Sequence, residues 1–448
     1  MKIIIIKLNC MSGTIKLILP PILLIFVFTL TFLTGCERED DDPQPEPEPV
    51  PLTLTINTDI TYQTIAGFGG ANRIWGTQFL KPAEAKKAFG TDETDLGMSL
   101  FRVRIASNST EWPLILESAK EAQNYNVKIL ASPWSPPANL KSNNSIVGGY
   151  LLPENYEAFK DYINSFVAYM DANGVNIYAI SIQNEPDIEV SYESCDWYVT
   201  KMAVFLKNYG HLINGTKIAA PESFNFNKWF TNGLLEDAEA AENLDIVAGH
   251  IYGGGLGSFP LAEQKGKEIW MTEYLLNLNT GNSGAPRWTS YEESEIWEES
   301  LEMLHTVHEA MINNWNAYIW WYIQRYYSFI GDGTEGTTNG EILKRGYAFS
   351  HFSKYIRPGF VRVYESINKQ NDLEITAYKG NSQIVIVIIN PEDILVSNLN
   401  IEVPSVSSAS AYETLLDKNR EEKAVILSDS TVVLHISPKS ITTIVVEK

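Results

Sequence analysis

Eight short apolar runs recur between Ile65 and Ile323, with helix-period segments between most of them. The runs are Ile65–Gly70, Leu100–Ile105, Lys128–Trp134, Ala179–Asp187, Lys217–Ser223, Asp245–Tyr252, Glu268–Tyr274 and Ala317–Ile323. Several carry the β-branched residues expected of buried strands. Trp112–Tyr125, Pro153–Ala172, Trp197–Ile213 and Tyr291–Asn314 carry the helical period. Strands alternating with helices eight times predict an α/β (β/α)8 barrel over residues 65–356. Runs such as Lys-Ile-Leu-Ala-Ser-Pro-Trp are apolar first and functional last, the polarity of a barrel whose site collects at the C-terminal strand ends.

From about Arg362 the pattern changes. Leu373–Tyr378, Gln383–Asn390, Leu399–Val403, Ala409–Thr414, Lys423–Leu427, Thr431–Ile436 and Ile441–Glu447 are strand-like, with turn residues between and no helical period. They predict an all-β sandwich over 357–448. The early run Leu52–Asn57, within 51–64, is expected to join it, so that both ends of the mature chain build the smaller domain.

The first 35 residues read as targeting, not fold. Lys2, Lys7 and Lys16 precede an apolar stretch from Leu17 to Leu33 that ends in Leu33-Thr34-Gly35-Cys36. This resembles a bacterial lipoprotein signal, removed before Cys36, with lipid carried on the Cys36 sulfur; an uncleaved membrane anchor is the alternative. Residues 36–50 are acidic and proline-rich and predict an extended, solvated tether. The acidic run after Cys36 resembles a surface-export signal, so an outer-membrane lipoprotein is expected, facing the cell surface or the periplasm. Cys10 falls in the signal and Cys36 takes the lipid, which leaves Cys195 without a disulfide partner.

A net charge of −21 repels nucleic acid and anionic membranes but tolerates a neutral polymer. An acidic group on a ligand needs a local cation against that field. The six histidines are scattered and no CxxC pair occurs, so no metal or other cofactor is expected. Gly67–Gly70 lacks the Lys-Ser/Thr of a phosphate loop. A monomer is expected.

Two glutamates follow apolar runs, Glu185 in Gln-Asn-Glu-Pro-Asp and Glu273 in Trp-Met-Thr-Glu-Tyr. Cleaving a glycosidic bond requires one carboxyl group to protonate the leaving oxygen and a second to attack the anomeric carbon or activate water. Paired glutamates on two strand ends, among many aromatic residues, predict that chemistry. Asn184 is placed to bond a sugar 2-hydroxyl. Trp134, Tyr252, Tyr274, Trp320, Trp321 and Tyr322 lie at the same ends, where flat rings pack on sugar C–H faces. Because adjacent strand residues point to opposite sides, at most one of Trp320 and Trp321 faces the cleft. His250 is expected to bond a hydroxyl or the nucleophile, and Arg104 to keep the nucleophile ionised.

Gly-Phe-Gly-Gly (Gly67–Gly70), Trp-Ser-Pro-Pro (Trp134–Pro137), Gln-Asn-Glu-Pro-Asp (Gln183–Asp187), Gly-His-Ile-Tyr-Gly (Gly249–Gly253), Trp-Met-Thr-Glu (Trp270–Glu273) and Lys-Arg-Gly-Tyr (Lys344–Tyr347) occur in that order. The set resembles glycoside hydrolase family 30, and within it the bacterial glucuronoxylan endoxylanases, over roughly Leu52 to Lys448. The resemblance implies a retaining mechanism, with Glu185 as acid/base and Glu273 as nucleophile. It also implies cleavage of the β-1,4-xylan backbone beside a glucuronate branch. Arg325 and Tyr327 match the positions that read the branch carboxylate, and Trp321 and Tyr322 match the flanking contacts. Gln324 stands where the family has a first arginine. In the loop Tyr274–Asn279, Leu275 and Leu278 stand near positions where relatives carry tyrosine and serine, so either the branch is held more weakly here or Asn277, Asn279 or Ser283 takes over. The rival readings are a branch-independent xylanase, a β-1,6-glucanase, and a non-catalytic glycan-binding lipoprotein.

Overall fold

The computed structural model describes residues 51–72, 74–76, 79–279 and 286–448, and residues 51–448 form one compact unit. The signal, Cys36, the tether and Ser283 lie outside the described residues. The described chain opens with β1 (Thr53–Thr64). Eight strands then form a closed barrel: β2 (Gly67–Ala71), β3 (Leu100–Ile105), β4 (Lys128–Pro133), β5 (Ala179–Ser181), β6 (Lys217–Ser223), β7 (Ile246–His250), β8 (Glu268–Glu273) and β9 (Ala317–Trp320). Every neighbouring pair is parallel, and β2 pairs with β9 to close the ring.

Leu100, Leu130, Ile246, Trp270 and Ile319, with alanines between them, fill the lower interior of the barrel. The alternate residues of the same strands, such as Phe101, Ile129, Val247 and Met271, pack outward under the helices. This period of two fixes which side chains at the upper ends can face the cleft. β5 stops at Ser181, short of the run Ala179–Asp187 expected from sequence, and Glu185 has left strand geometry with φ +45°. The helical segment expected over Trp112–Tyr125 begins as a 3-10 turn, Ser109–Ile115, with Pro113 inside it, and turns α-helical only at Leu116–Gln123.

The smaller domain holds β10 (Val361–Ile367), β11 (Glu374–Lys379), β12 (Gln383–Asn390), β13 (Val396–Glu402), β14 (Ser408–Leu415), β15 (Lys418–Lys423), β16 (Ile426–Ser428), β17 (Thr431–Ile436) and β18 (Ser440–Glu447). Together with β1 they form one ten-stranded sheet in the order β15-β14-β18-β12-β11-β10-β1-β13-β17-β16. β1 lies between β10 and β13, so both ends of the described chain build this domain. The layers of the expected sandwich are thus continuous in hydrogen bonding. The sheet bends so that residues from both halves, among them Ile386, Ile444, Leu54 and Leu434, share one core. β12 is buried on both faces: Ile384, Ile386 and Ile388 enter that core, while Val385, Val387 and Ile389 pack on the barrel side. Each such side chain contributes about 1.5–3 kcal/mol. His351, on the helix Lys344–Ser353, bonds Thr443 and Thr414 at 2.8 Å each and fixes the barrel flank to the sheet.

Candidate active site

On β3 the inward residues are Leu100 and then Arg102, and on β4 they are Leu130 and then Ser132. Arg102 therefore sits just above the barrel's apolar floor, fully buried. Its guanidinium donates to Glu273 Oε2 at 2.6 Å, Glu222 Oε1 at 3.0 Å, Asn184 Oδ1 at 2.6 Å and Ser132 Oγ at 3.3 Å. Its carbon Cζ lies 4.6 Å from the centre of the Trp134 ring.

Two strand irregularities bring carboxylates to this guanidinium. Regular alternation from Trp270 would turn Glu273 out of the barrel. The pairing instead runs Gly249–Met271 and then His250–Glu273, so β8 carries one extra residue and Glu273 faces in. On β6 the pairing runs Pro221–Ala248 and then Ser223–Gly249, which makes Glu222 the extra residue, held at φ +59°. Non-glycine residues in that region cost on the order of 1–3 kcal/mol and cluster at functional sites. Glu185, also at a positive φ, is fixed by its N–H to Glu222 O at 3.0 Å.

One ligand atom each of Glu185, His250 and Glu273 lies within 4.8 Å of the others. His250 Nδ1 is 3.0 Å from Glu185 Oε1, and its Nε2 is 3.8 Å from Glu222 and 4.0 Å from Glu273. Tyr192 donates to Glu185 Oε2 at 3.1 Å, and Tyr252 donates to Glu273 Oε1 at 3.0 Å.

The electrostatics follow from complete burial beside opposite charges. Burial lowers the His250 imidazolium, but Glu273, Glu185 and Glu222 outweigh it and raise the group to about 9. Burial pushes Glu222 up, and Arg102 and His250 override this, holding it at about 2. Burial pushes Glu273 above the ordinary carboxylate value, against the pull of His250 and Arg102.

Trp134, Trp321 and Tyr322 meet at the mouth. Trp134 and Trp321 have ring centres 6.2 Å apart, and Tyr322 stacks on Trp321 at 4.4 Å. Trp75 adds a third indole, 5.5 Å from Trp134, and touches Tyr192 at 5.9 Å. Trp320 points away and packs on Phe329, so of the adjacent pair only Trp321 reaches the mouth.

Arg325 lies further along the same loop. Its Nη1 is 3.2 Å from Asp332 Oδ2, and its Cζ is 5.6 Å from the Tyr326 ring centre. Asn277 and Asn279 both bond the Tyr326 hydroxyl, at 3.3 and 3.0 Å. Tyr327 is buried next to Tyr326, and burial pushes its phenol up. Gln324 turns the other way, donating to Gly331 O and Asn339 at 3.2 Å each.

Arg104 does not reach Glu273. It is pinned between Glu111 at 2.5 Å and Glu193 at 2.9 Å, while Arg102, two residues deeper on the same face, donates to Glu273. His250 bonds Glu185 through Nδ1, not Glu273, and its buried Nε2 has no hydrogen-bond partner among the described residues. Asn184 Oδ1 accepts from Arg102, which leaves its amide nitrogen as the donor for other partners. Arg102, Glu222, Tyr192 and Trp75 were not singled out in the sequence. Arg102 shares the alternation that marks Leu100 and Arg104; Glu222 is hidden by its bulge.

The model of the glycosyl hydrolase family 30 TIM-barrel domain matches residues 86–204. Over 405 residues the chain is 34% identical to glucuronoxylanase XynC of Bacillus subtilis (strain 168), covering 88% of this chain and 91% of that one. The xylanase Xyn30A of Clostridium acetobutylicum, from subfamily 8 of glycoside hydrolase family 30, superimposes with a TM-score of 0.78 at 31% identity, over 88% of this chain and all of that one (100%). A GH30 endoxylanase from Clostridium papyrosolvens C71 gives 0.75 at 32% identity, with coverage of 88% and 100%.

Proposed function

This chain belongs to glycoside hydrolase family 30, and from that membership we propose that it is a retaining endoxylanase that cleaves glucuronoxylan beside a glucuronate branch. The observation that carries the catalytic part is the approach of Glu185 and Glu273 to within 4.8 Å, the short separation of a retaining pair.

The family's motif pattern supports Glu185 as acid/base and Glu273 as nucleophile. Glu185, Glu222 and Glu273 face two cations, Arg102 and the charged His250. Arg102 pairs with Glu222 and Glu273, while Glu185 makes no ion pair with it among the described residues. Glu273 attacks the anomeric carbon as Glu185 protonates the departing glycosidic oxygen, giving a glycosyl ester on Glu273 and a free sugar hydroxyl. Water then attacks the same carbon; its proton goes to Glu185 and Glu273 is released as carboxylate. Tyr252 and Arg102 hold one oxygen of Glu273 each, which fixes the attacking geometry.

Branch reading rests on Arg325 and Tyr327. A guanidinium matches a carboxylate in charge and in its paired donors, and supplies a local cation in a chain of net charge −21. Comparing initial rates on glucuronoxylan, arabinoxylan and β-1,6-glucan tests the reading. Glucuronoxylan should be cut fastest by far; equal rates on arabinoxylan would remove the branch from the account, and preferential cleavage of β-1,6-glucan would remove xylan. The Leu33–Cys36 signature supports lipid attachment at Cys36 and display on the outer membrane.

A further inference from the structure

We propose that the cavity framed by Tyr150 and Tyr198, beside the acid/base loop, is a second binding site for the xylan chain, separate from the catalytic cleft. The proposal rests on the xylan reading above. Trp229, Tyr198 and Tyr150 are the three most exposed aromatic side chains among the described residues, at 74%, 70% and 50%. All three stand at the C-terminal end of the barrel, the end that carries the glutamates. Tyr150 follows β4, Tyr198 precedes the helix Val199–Tyr209, and Trp229 opens the helix Lys228–Glu236.

These positions are neighbours. Tyr150 bridges to Asp196, two residues before Tyr198. The helices after Tyr198 and Trp229 touch so closely that a Cβ on Gly233 would lie 2.5 Å from Val199. Gly233 is one turn below Trp229, and Val199 follows Tyr198. The rings therefore run along the rim in the order Tyr150, Tyr198, Trp229.

Between Tyr150 and Tyr198 lies a cavity of 510 Å³, also lined by Glu154, Asp196, Trp197 and Lys201. Its floor is stiff, because Tyr156 and Trp197 stack with ring centres 5.7 Å apart. Trp197 N–H donates to Pro186 O at 2.9 Å, which ties that floor to the residue after Glu185. The Trp197 Nε1 is buried with no hydrogen-bond partner among the described residues.

Exposed rings beside carboxylates and an ammonium group offer a sugar chain what it binds: flat faces for its C–H surfaces and acceptors and donors for its hydroxyls. A row of rings suits a linear polymer better than a small molecule. The strongly acidic chain disfavours nucleic acid on the same surface. A polymer held here stays tethered to the enzyme while the cleft engages and releases it, which raises its effective concentration.

The test uses Glu273→Gln protein, which binds without turnover, run through gels containing glucuronoxylan. Tyr150→Ala/Tyr198→Ala should weaken retardation about tenfold. Tyr198→Phe, which keeps the ring, should retain it. In otherwise unaltered enzyme, the double variant should hydrolyse the shortest cleavable xylo-oligosaccharide at the parent rate. Unchanged retardation would overturn the proposal, as would a matching loss of oligosaccharide hydrolysis, because the residues would then act through the cleft. Retardation by β-1,6-glucan in place of xylan, lost in the same variant, would keep the site and overturn the xylan reading.

Discussion

Arg102 donates to Glu273 across 2.6 Å from the far side of the barrel, with neither group open to solvent to any useful extent. The same guanidinium is 2.9 Å from Glu222. Removing it leaves Glu222 and Glu273 buried with the His250 imidazolium as the one cation beside them among the described residues. Arg102→Met should therefore destabilise the fold by about 3–5 kcal/mol. Urea unfolding at neutral pH measures this; a variant as stable as the parent would show that Arg102 does not hold the cluster together.

The pH dependence of stability follows from the two most perturbed groups. His250 rises from 6.5 to about 9 on folding, so its contribution is fully present below 6.5 and is lost as pH climbs through about 9. Glu222 falls from 4.5 to about 2, so its contribution is present above 4.5 and is lost as pH drops through about 2. The unfolding free energy should decline by about 3 kcal/mol across the alkaline window. Glu222→Gln removes one of the anions that hold the imidazolium, and should move that decline to lower pH. Denaturation series from pH 6 to 10 check both; a flat parent profile contradicts the charged His250.

Tyr192 holds Glu185, the proposed acid/base, from the solvent side, 3.1 Å from its Oε2, while its ring packs on Trp75. Tyr192→Phe keeps the ring and removes one bond to a carboxyl group worth about 1.5–3 kcal/mol. The expected result is a fall in kcat of about tenfold or more, with KM nearly unchanged. A change in KM alone would assign Tyr192 to sugar packing and not to positioning the acid.

These residues differ in how plainly the sequence marks them. Glu185 and Glu273 stand out because a carboxylate directly after an apolar strand has few structural uses. The barrel is legible for a related reason: its strands are buried on both faces and its helices are not, so the two periods separate cleanly. Glu222 is not legible, because strict alternation places it outside and only the bulge at φ +59° turns it in. Arg102 and Arg104 share one face, and sequence cannot tell that the deeper one meets the carboxylates while Glu111 and Glu193 hold the other. The continuity of the ten-stranded sheet is equally hidden, since strand periodicity does not report which strands pair.

Arg325 approaches Asp332 at 3.2 Å and remains partly exposed, so a substrate carboxylate can reach it. Arg325→Ala should cost about 2–5 kcal/mol in kcat/KM on glucuronoxylan, through loss of the partner for a desolvated carboxylate. On an unbranched xylo-oligosaccharide the same variant should match the parent. Equal losses on both substrates would assign Arg325 to the loop's own structure.

Mass analysis of the products from glucuronoxylan tests the central claim most directly, because the branch position on each product records where the chain lay when it was cut. A retaining hydrolase guided by Arg325 should release products that each carry one glucuronate at a single fixed distance from the new reducing end, and Glu273→Gln should release none. Branches scattered along the products, or a ladder of unbranched xylo-oligosaccharides, would contradict it.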